Sequence, residues 1–202
     1  SANAQYNLAV LYHQGLGVQK NTEKAIALYR VAAANHHPEA LYNLAIAYVE
    51  GVGVEYNPEI AAVYFERAAL GGVVEAAYNL GLLHENGLLG ESQPDEAVFW
   101  YSLAADKGNP DAVKALKQLK AQLGMSDDDA ARVSSKIAAS KTGFLSAAGK
   151  PALPDMRPDL KKTDTKAEIK ATAAPVTGSV SAPVSATATT KAVPQPSAAL
   201  TA

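Results

Sequence analysis

The side chains of this chain that could act on a ligand are four histidines, an aspartate run, and tyrosines that recur beside glutamates. His13, His36, His37 and His84 are potential metal ligands or general bases, and Glu39 follows the His36-His37 pair closely. A metal site needs several donors converging on one ion, and the pair has no other carboxylate at ligand spacing. A solvated turn accounts for it better. His84 shares the phase of Tyr12 and Tyr48, which reads as packing beneath a loop. Asp127-Asp128-Asp129 lacks the glycine and distal glutamate of a calcium loop, and it suits the positive end of a helix. Gly15-Leu16-Gly17 joins two helical stretches rather than a strand and a helix, so it is no phosphate loop. There is no cysteine and no Gly-x-Ser-x-Gly elbow. The expectation is a chain that is not an enzyme and holds no metal or cofactor.

The elements that position these groups follow from a repeat of 36 residues. Ala4, Ala40, Ala76 and Ala112 share one phase; so do Leu8, Leu44, Leu80 and Leu116, and Ala25, Ala61 and Ala97. Tyr6, Tyr42 and Tyr78 form another set, as do Tyr29, Phe65 and Tyr101. A fixed period of this size marks stacked repeats. Within a copy, Ala4, Leu8, Ala9 and Tyr12 line one helical face, Gly15 and Gly17 break the helix, and a second helix begins near Thr22, read as its N-cap. Its stripe is Ala25, Leu28, Tyr29, Ala32 and Ala33. Pro58 and Pro94 open the corresponding helices later. Gly72 and Gly108 close them, and His36 stands in that phase in the first copy. Antiparallel pairing places Ala9, Ala45 and Gly81 opposite Ala25, Ala61 and Ala97. The large residues Leu28/Tyr29, Tyr64/Phe65 and Trp100/Tyr101 then fill the space between neighbouring repeats, so Trp100 reads as core.

Tyr-Asn-Leu-small-x-x-Tyr in the first helix is similar to the tetratricopeptide repeat. The two extra residues per copy and the loops Gly15-Leu16-Gly17-Val18 and Gly51-Val52-Gly53-Val54 resemble its relative, the Sel-one-like repeat. Lys24-Ala25, Trp100-Tyr101 and Ala104-Ala105 with Gly108 carry the same resemblance over residues 1–110. Leu89-Gly90 replaces Gly-Val in the third copy, and Asn21, Asn57 and Gln93 stand where an Asp is usual. The resemblance implies an all-α, right-handed α-solenoid of antiparallel helix pairs that binds proteins and scaffolds complexes, often in bacterial envelopes. A periplasmic or envelope location is therefore favoured over the cytoplasm. By the same resemblance the concave wall carries Asn3, Tyr6, Val10 and His13; Glu39, Tyr42, Ile46, Val49 and Glu50; and Glu75, Tyr78, Leu82 and Glu85.

That wall carries tyrosines and aliphatic groups where a spacer would carry solvated Lys/Glu mixtures, which favours binding. The first helices, residues 1–14, 38–50 and 74–86, contain no Lys or Arg. The expected ligand is a protein or peptide that is cationic or neutral, extended and partly apolar. The other reading is a peptidoglycan-binding accessory factor of the cell envelope, with tyrosines stacking on sugar rings. Residues 1–140 hold 10 Lys/Arg and 16 Asp/Glu, a formal charge of −6, and residues 141–202 are at +4. Neither balance suits nucleic acid. No apolar run approaches the ~20 residues that span a bilayer.

Residues 1–108 thus read as three repeats. Residues 109–124 form a capping helix, where Asn109-Pro110-Asp111 starts it, Gly124 stops it, and Lys117 and Lys120 prevent a further helix from packing. A helix over 126–142 follows, with Ala130, Val133 and Ile137 on one face, Ser126 and Asp129 in a capping-box arrangement and Lys141-Thr142-Gly143 at its end. From 143 to 202 the composition is Ala/Thr/Pro/Ser-rich, holds seven of the eleven prolines and predicts disorder. Its basic residues Arg157, Lys161, Lys162, Lys166 and Lys170 are expected to compete for the wall. The apolar N-terminal edge, with Ala4, Leu8 and Ala9, predicts further N-terminal repeats or self-association.

Overall fold

Glycine and asparagine set the helix ends in the computed structural model, which describes residues 1–146, 153 and 154. Among these residues are eight α-helices and no strand: α1 (Ala2–Gln14), α2 (Thr22–Ala34), α3 (Pro38–Glu50), α4 (Pro58–Leu70), α5 (Val74–Glu85), α6 (Pro94–Asp106), α7 (Pro110–Leu123) and α8 (Asp127–Ser146). Gly15 and Gly51 stop α1 and α3 at φ 76° and 67°, a left-handed conformation open to glycine at little cost. Asn21, Asn57 and Asn109 cap α2, α4 and α7, each accepting the N–H three residues on at 2.8–2.9 Å. The cap expected at Thr22 is therefore Asn21, one residue earlier, where the amide oxygen accepts the Lys24 N–H. The three loops close alike. The N–H groups of Asn21, Asn57 and Gln93 donate to the carbonyls of Tyr12, Tyr48 and His84 at 2.9, 3.0 and 2.9 Å. The Leu89-Gly90 departure leaves that closure intact.

The short loops make α1 and α2, α3 and α4, and α5 and α6 antiparallel pairs. Packing of α2 on α3, α4 on α5 and α6 on α7 joins the pairs into an α-solenoid. The second helices carry the largest sealed side chains, Tyr64, Phe65, Trp100 and Tyr101. Ala9, Ala25, Ala45, Ala61 and Ala97 are wholly buried, as close helix approach requires. At Gly81 the approach is closer still, because a Cβ there would lie 2.5 Å from the Tyr101 ring. The nearest neighbour of that site is thus the ring, not Ala97. His36 occupies the phase of Gly72 (φ 102°) and Gly108 (φ 85°) and takes φ 59°, the only positive φ outside glycine among the described residues.

The two edges differ. Ala4 is exposed although Ala40, Ala76 and Ala112 are sealed, and Leu11 is 38% exposed although Leu83 in the same phase is at 0%. A first helix is covered by the second helix of the repeat before it, and among the described residues no such helix covers α1. At the other end α7 buries Ala112 and Leu119 and keeps Lys117 in solvent. Ser126 and Asp129 then form a reciprocal capping box: the Asp129 N–H donates to Ser126 Oγ at 3.2 Å, and the Ser126 N–H donates to the Asp129 carboxylate at 3.1 Å.

α8 leaves the repeat pattern and lies along α6. Ser134 meets Ser102 at 3.5 Å, and two turns later Lys141 meets Glu96 at 3.3 Å, so α8 runs antiparallel to α6. Lys141 also stands 3.7 Å from Glu66 of α4, with its ammonium 5.4 Å from the Trp100 ring centre. That anchorage explains why α8 does not end at residues 141–143 as expected but continues to Ser146. One glycine, Gly143, costs a helix only ~1 kcal/mol. Leu153 is buried. The rest of the segment expected to be disordered lies outside the described residues.

Candidate binding face

Each repeat builds its part of the wall from the same two rings. Tyr6 leans on Tyr29 with centroids 6.0 Å apart, Tyr42 on Phe65 at 5.8 Å, and Tyr78 on Tyr101 at 5.7 Å. The rear ring belongs to the second helix of the same pair and is buried, so each wall tyrosine is half-buried and held from behind. The next repeat holds Tyr42 from the side as well. Asn79 Nδ2 of the third repeat donates to the Tyr42 hydroxyl of the second at 3.3 Å, while Asn43 Nδ2, in the same phase, donates to the Glu39 carbonyl at 2.9 Å. The same phase beyond Tyr78 is Ala115, which has no amide to offer.

The charge of a carboxylate in the first turn of the helix two further along acts on each ring: Glu39 of α3 on Tyr6, Glu75 of α5 on Tyr42 and Asp111 of α7 on Tyr78. Burial first, with these carboxylates adding to it, pushes the three phenols above their ordinary pKa of 10.0, against a lowering by Asn79 at Tyr42, so each stays protonated at neutral pH. Glu39 also lies 3.1 Å from His37 Nδ1, and Asp111 lies 3.8 Å from Lys114. Glu50 is exposed at the far end of α3, and its charge reaches Tyr42 and His13. His13 is exposed, 6.1 Å from Tyr29, with its pKa lowered by partial burial and then by Lys20.

The remaining expected wall residues divide. Asn3 is exposed, and Val10, Ile46 and Glu75 are half-buried. Val49 and Leu82 are not on an open wall: they are 6% and 8% exposed and belong to the core. At Val49 an aliphatic chain gains ~25 cal/mol per Å² by turning inward, which the same-phase polar residue His13 cannot. Glu85 accepts the Tyr101 hydroxyl at 2.5 Å, so it anchors a core ring as well as facing the wall.

His37, Asn43, Asn79 and Asp111 belong to this face and go unnoticed when the sequence is read for tyrosines and glutamates. The signal for three of them is phase. Asn7, Asn43 and Asn79 follow the tyrosines, and Asp111 continues Glu39 and Glu75. His37 is not solvated as the turn reading has it. Its ring stacks on Tyr6 at 4.5 Å and 20°, while His36 is exposed. His84 does pack beneath its loop, with Nδ1 2.8 Å from Gln93 Oε1. The described residues contain no group of three His, Asp or Glu able to hold a metal ion, and no helix long and apolar enough to cross a membrane.

Stacked helix pairs presenting a continuous wall of side chains define an α-solenoid of the interaction-scaffold class. Residues 2–37, 38–73 and 74–109 each match the Sel1 repeat, and the chain belongs to the Sel1 repeat family. Its fold is similar to the crystal structure of a Sel1 repeat protein from Oxalobacter formigenes, at 32% identity and TM-score 0.60, covering 67% of this chain. It is also similar to c5321, a protective antigen of uropathogenic Escherichia coli strains displaying an SLR fold, at 28% identity and TM-score 0.60, covering 69% of this chain. The chain spans 58% and 31% of those two structures' length. No curated protein matches it. Sel1 repeats form a protein-interaction scaffold that is typically non-catalytic.

Proposed function

We propose that the wall of α1, α3 and α5 binds an extended peptide segment of a partner protein, cationic or neutral and partly apolar, and that the chain acts as an adaptor without a reaction of its own. One observation carries this reading: these three helices hold no Lys or Arg, while a carboxylate stands beside each wall tyrosine. A carboxylate next to an aromatic ring suits a Lys or Arg side chain, through charge pairing and cation–π contact worth ~0.5–2 kcal/mol each. Phe65, Tyr101 and His37 already crowd the tyrosine rings, which favours hydroxyl and edge contacts over the flat stacking that a sugar would need. The exposed side of α1, including Leu11, suits the second helix of another such repeat.

Titration of the chain with a basic peptide tests the reading. Affinity is expected to weaken with added salt and to drop on Glu39→Lys with Glu75→Lys. Salt-independent binding of an acidic peptide by the unaltered protein would refute it. Removing residues 145–202 is expected to raise affinity if the basic tail competes; unchanged affinity removes that part alone.

A further inference from the structure

We infer that a niche beside the joint of the first and second helix pairs is a carboxylate-binding site, and that its occupant is the chain's own C-terminal segment, with Asp155 on Arg30. The niche lies between α2 and the loop from α3 to α4, and its lining includes Arg30, Tyr48, Glu55, Tyr56 and Ile60. Its walls are closely seated. A Cβ at Gly53 of the loop would lie 3.0 Å from Thr22 and 3.1 Å from Ile26 of α2. Arg30 donates to the Tyr48 hydroxyl at 3.4 Å, and the Tyr48 ring stacks on Tyr64 at 5.8 Å and 12°. A hydroxyl that accepts from a guanidinium keeps its own proton to donate, so Arg30 and Tyr48 together suit an anionic oxygen. Glu55 is the carboxylate of this lining, and it is exposed.

The repeat supplies a filled example of the same niche. Moving 36 residues on turns Arg30 into Glu66, Tyr48 into His84, Ile60 into Glu96 and Tyr64 into Trp100. The two loops close by the same backbone bond, 3.0 Å from Asn57 to Tyr48 and 2.9 Å from Gln93 to His84, so the frame is shared. At the second joint Lys141, from outside the repeats, stands 3.7 Å from Glu66, 3.3 Å from Glu96 and 5.4 Å from the Trp100 ring centre. Two acids there take a cation. With Arg30 in the phase of Glu66 and Ile60 in that of Glu96, the first joint has the opposite sign and suits an acid.

The chain beyond α8 carries one. Leu153 is 8% exposed and belongs to the hydrophobic core, which anchors the chain there. Asp155, two residues past that anchor, is the first Asp or Glu after Asp129. A proline favours extended backbone in the residue before it, and residues i and i+2 of an extended segment point the same way. An extended Leu153-Pro154-Asp155 thus presents its carboxylate on the side that Leu153 buries. The nine residues after Ser146 that end at Asp155 reach at most ~30 Å, more than the roughly 20–24 Å across two packed helices.

The test uses the full chain, which has no cysteine, so a reporting pair can be introduced that spares Arg30 and Asp155. Tyr56→Cys, at an exposed position of the niche, and Met156→Cys, next to Asp155, are treated with a short bis-maleimide, and intramolecular cross-linking is timed. Adding Asp155→Asn or Arg30→Gln is expected to slow cross-linking about fivefold, by lowering the local concentration of the segment. The exchanged pair Arg30→Asp with Asp155→Arg should restore the rate. In denaturant unfolding of the cysteine-free chain, Asp155→Asn should lower the folding constant about threefold, and leave it unchanged when Arg30→Gln is present. Asp155 lies outside the repeats, so its variant keeps the test open if Arg30→Gln fails to fold. A cross-linking rate that Asp155→Asn leaves unchanged overturns the inference. So does binding of a Glu-rich synthetic peptide that Arg30→Gln abolishes and Asp155→Asn does not strengthen, which would give the niche to an outside acidic partner.

Discussion

Replacing Gly81 by Ala adds the methyl that the first two repeats carry at Ala9 and Ala45, and on propensity alone it should stabilise helix α5 by ~1 kcal/mol. The structure reverses that sign. The new Cβ would lie 2.5 Å from both Cδ1 and Cε1 of Tyr101, against ~3.5–4.0 Å for a comfortable carbon contact, so the ring must move by more than about 1 Å. It has little freedom to do so, being sealed from solvent, packed on Tyr78 and tied by its hydroxyl to Glu85 at 2.5 Å. Overpacking costs ~1–3 kcal/mol, and losing a hydrogen bond to a charged acceptor costs ~1.5–3 kcal/mol more if the ring swings away. Net of propensity, Gly81→Ala should destabilise by about 1–3 kcal/mol. For a chain of this size that lowers the melting temperature by roughly 3–10 °C. Denaturant unfolding, with the m-value checked for constancy, measures the change. The decisive comparison is a double-mutant cycle with Tyr101→Ala, in which the ring is gone and Gly81→Ala should gain ~1 kcal/mol. The steric argument is wrong if Gly81→Ala is as stable as the parent in the Tyr101 background.

His36→Gly should raise stability by about 0.5–1 kcal/mol, because φ 59° strains a side chain that Gly72 and Gly108 avoid in the same phase; an unchanged or lower melting temperature contradicts this. Burial holds the pKa of His84 below its ordinary 6.5, with Gln93 and Glu96 pulling it up and Lys141 pushing it down. The unfolded chain therefore takes up a proton first, and stability should fall as pH drops from about 6.5 toward the folded value, by up to ~1.4 kcal/mol per pH unit. His84→Gln should reduce that slope, leaving the same-sign part from His13, and identical pH profiles for the two proteins exclude the assignment. Lys141→Ala should destabilise by about 1–2 kcal/mol, since it strands Glu66 and Glu96, whose side chains are 20% and 27% exposed. It should also shift the emission of the single tryptophan, Trp100, and a variant altered in neither respect speaks against the contact.

Much of the fold is legible because the repeat states each choice three times. The glycine stops, the alanine contacts and the buried aromatic pairs follow from phase and helical spacing alone. What the period cannot convey is where copies differ within a shared backbone. Val49 and Leu82 share phases with wall residues, yet their aliphatic chains join the core. Gln93 shares a phase with the caps Asn21 and Asn57, yet its longer chain bonds the His84 ring instead. The path of α8 is illegible for another reason: it leaves the repeat, and Lys141 reads as a helix-end signal until its partners Glu66 and Glu96, far away in sequence, are in view. On the wall, the tyrosines and Glu39 and Glu75 are visible in the sequence. The Asn79 pin shows there only as a shared phase, because one repeat's amide serves the preceding repeat's ring.

Lys141 makes the wall mechanically uneven. Its ammonium touches Glu66 in the second helix pair and Glu96 and Trp100 in the third, so α8 lies as a splint across the joint between those two pairs. The joint between the first and second pairs carries side-chain packing and the 3.4 Å hydrogen bond from Arg30 of α2 to the Tyr48 hydroxyl of α3, and among the described residues no helix from outside the repeats lies across it. Bending of the array is therefore expected to concentrate at the first joint. A peptide on the proposed wall would meet a stiffer step between the second and third pairs than between the first and second.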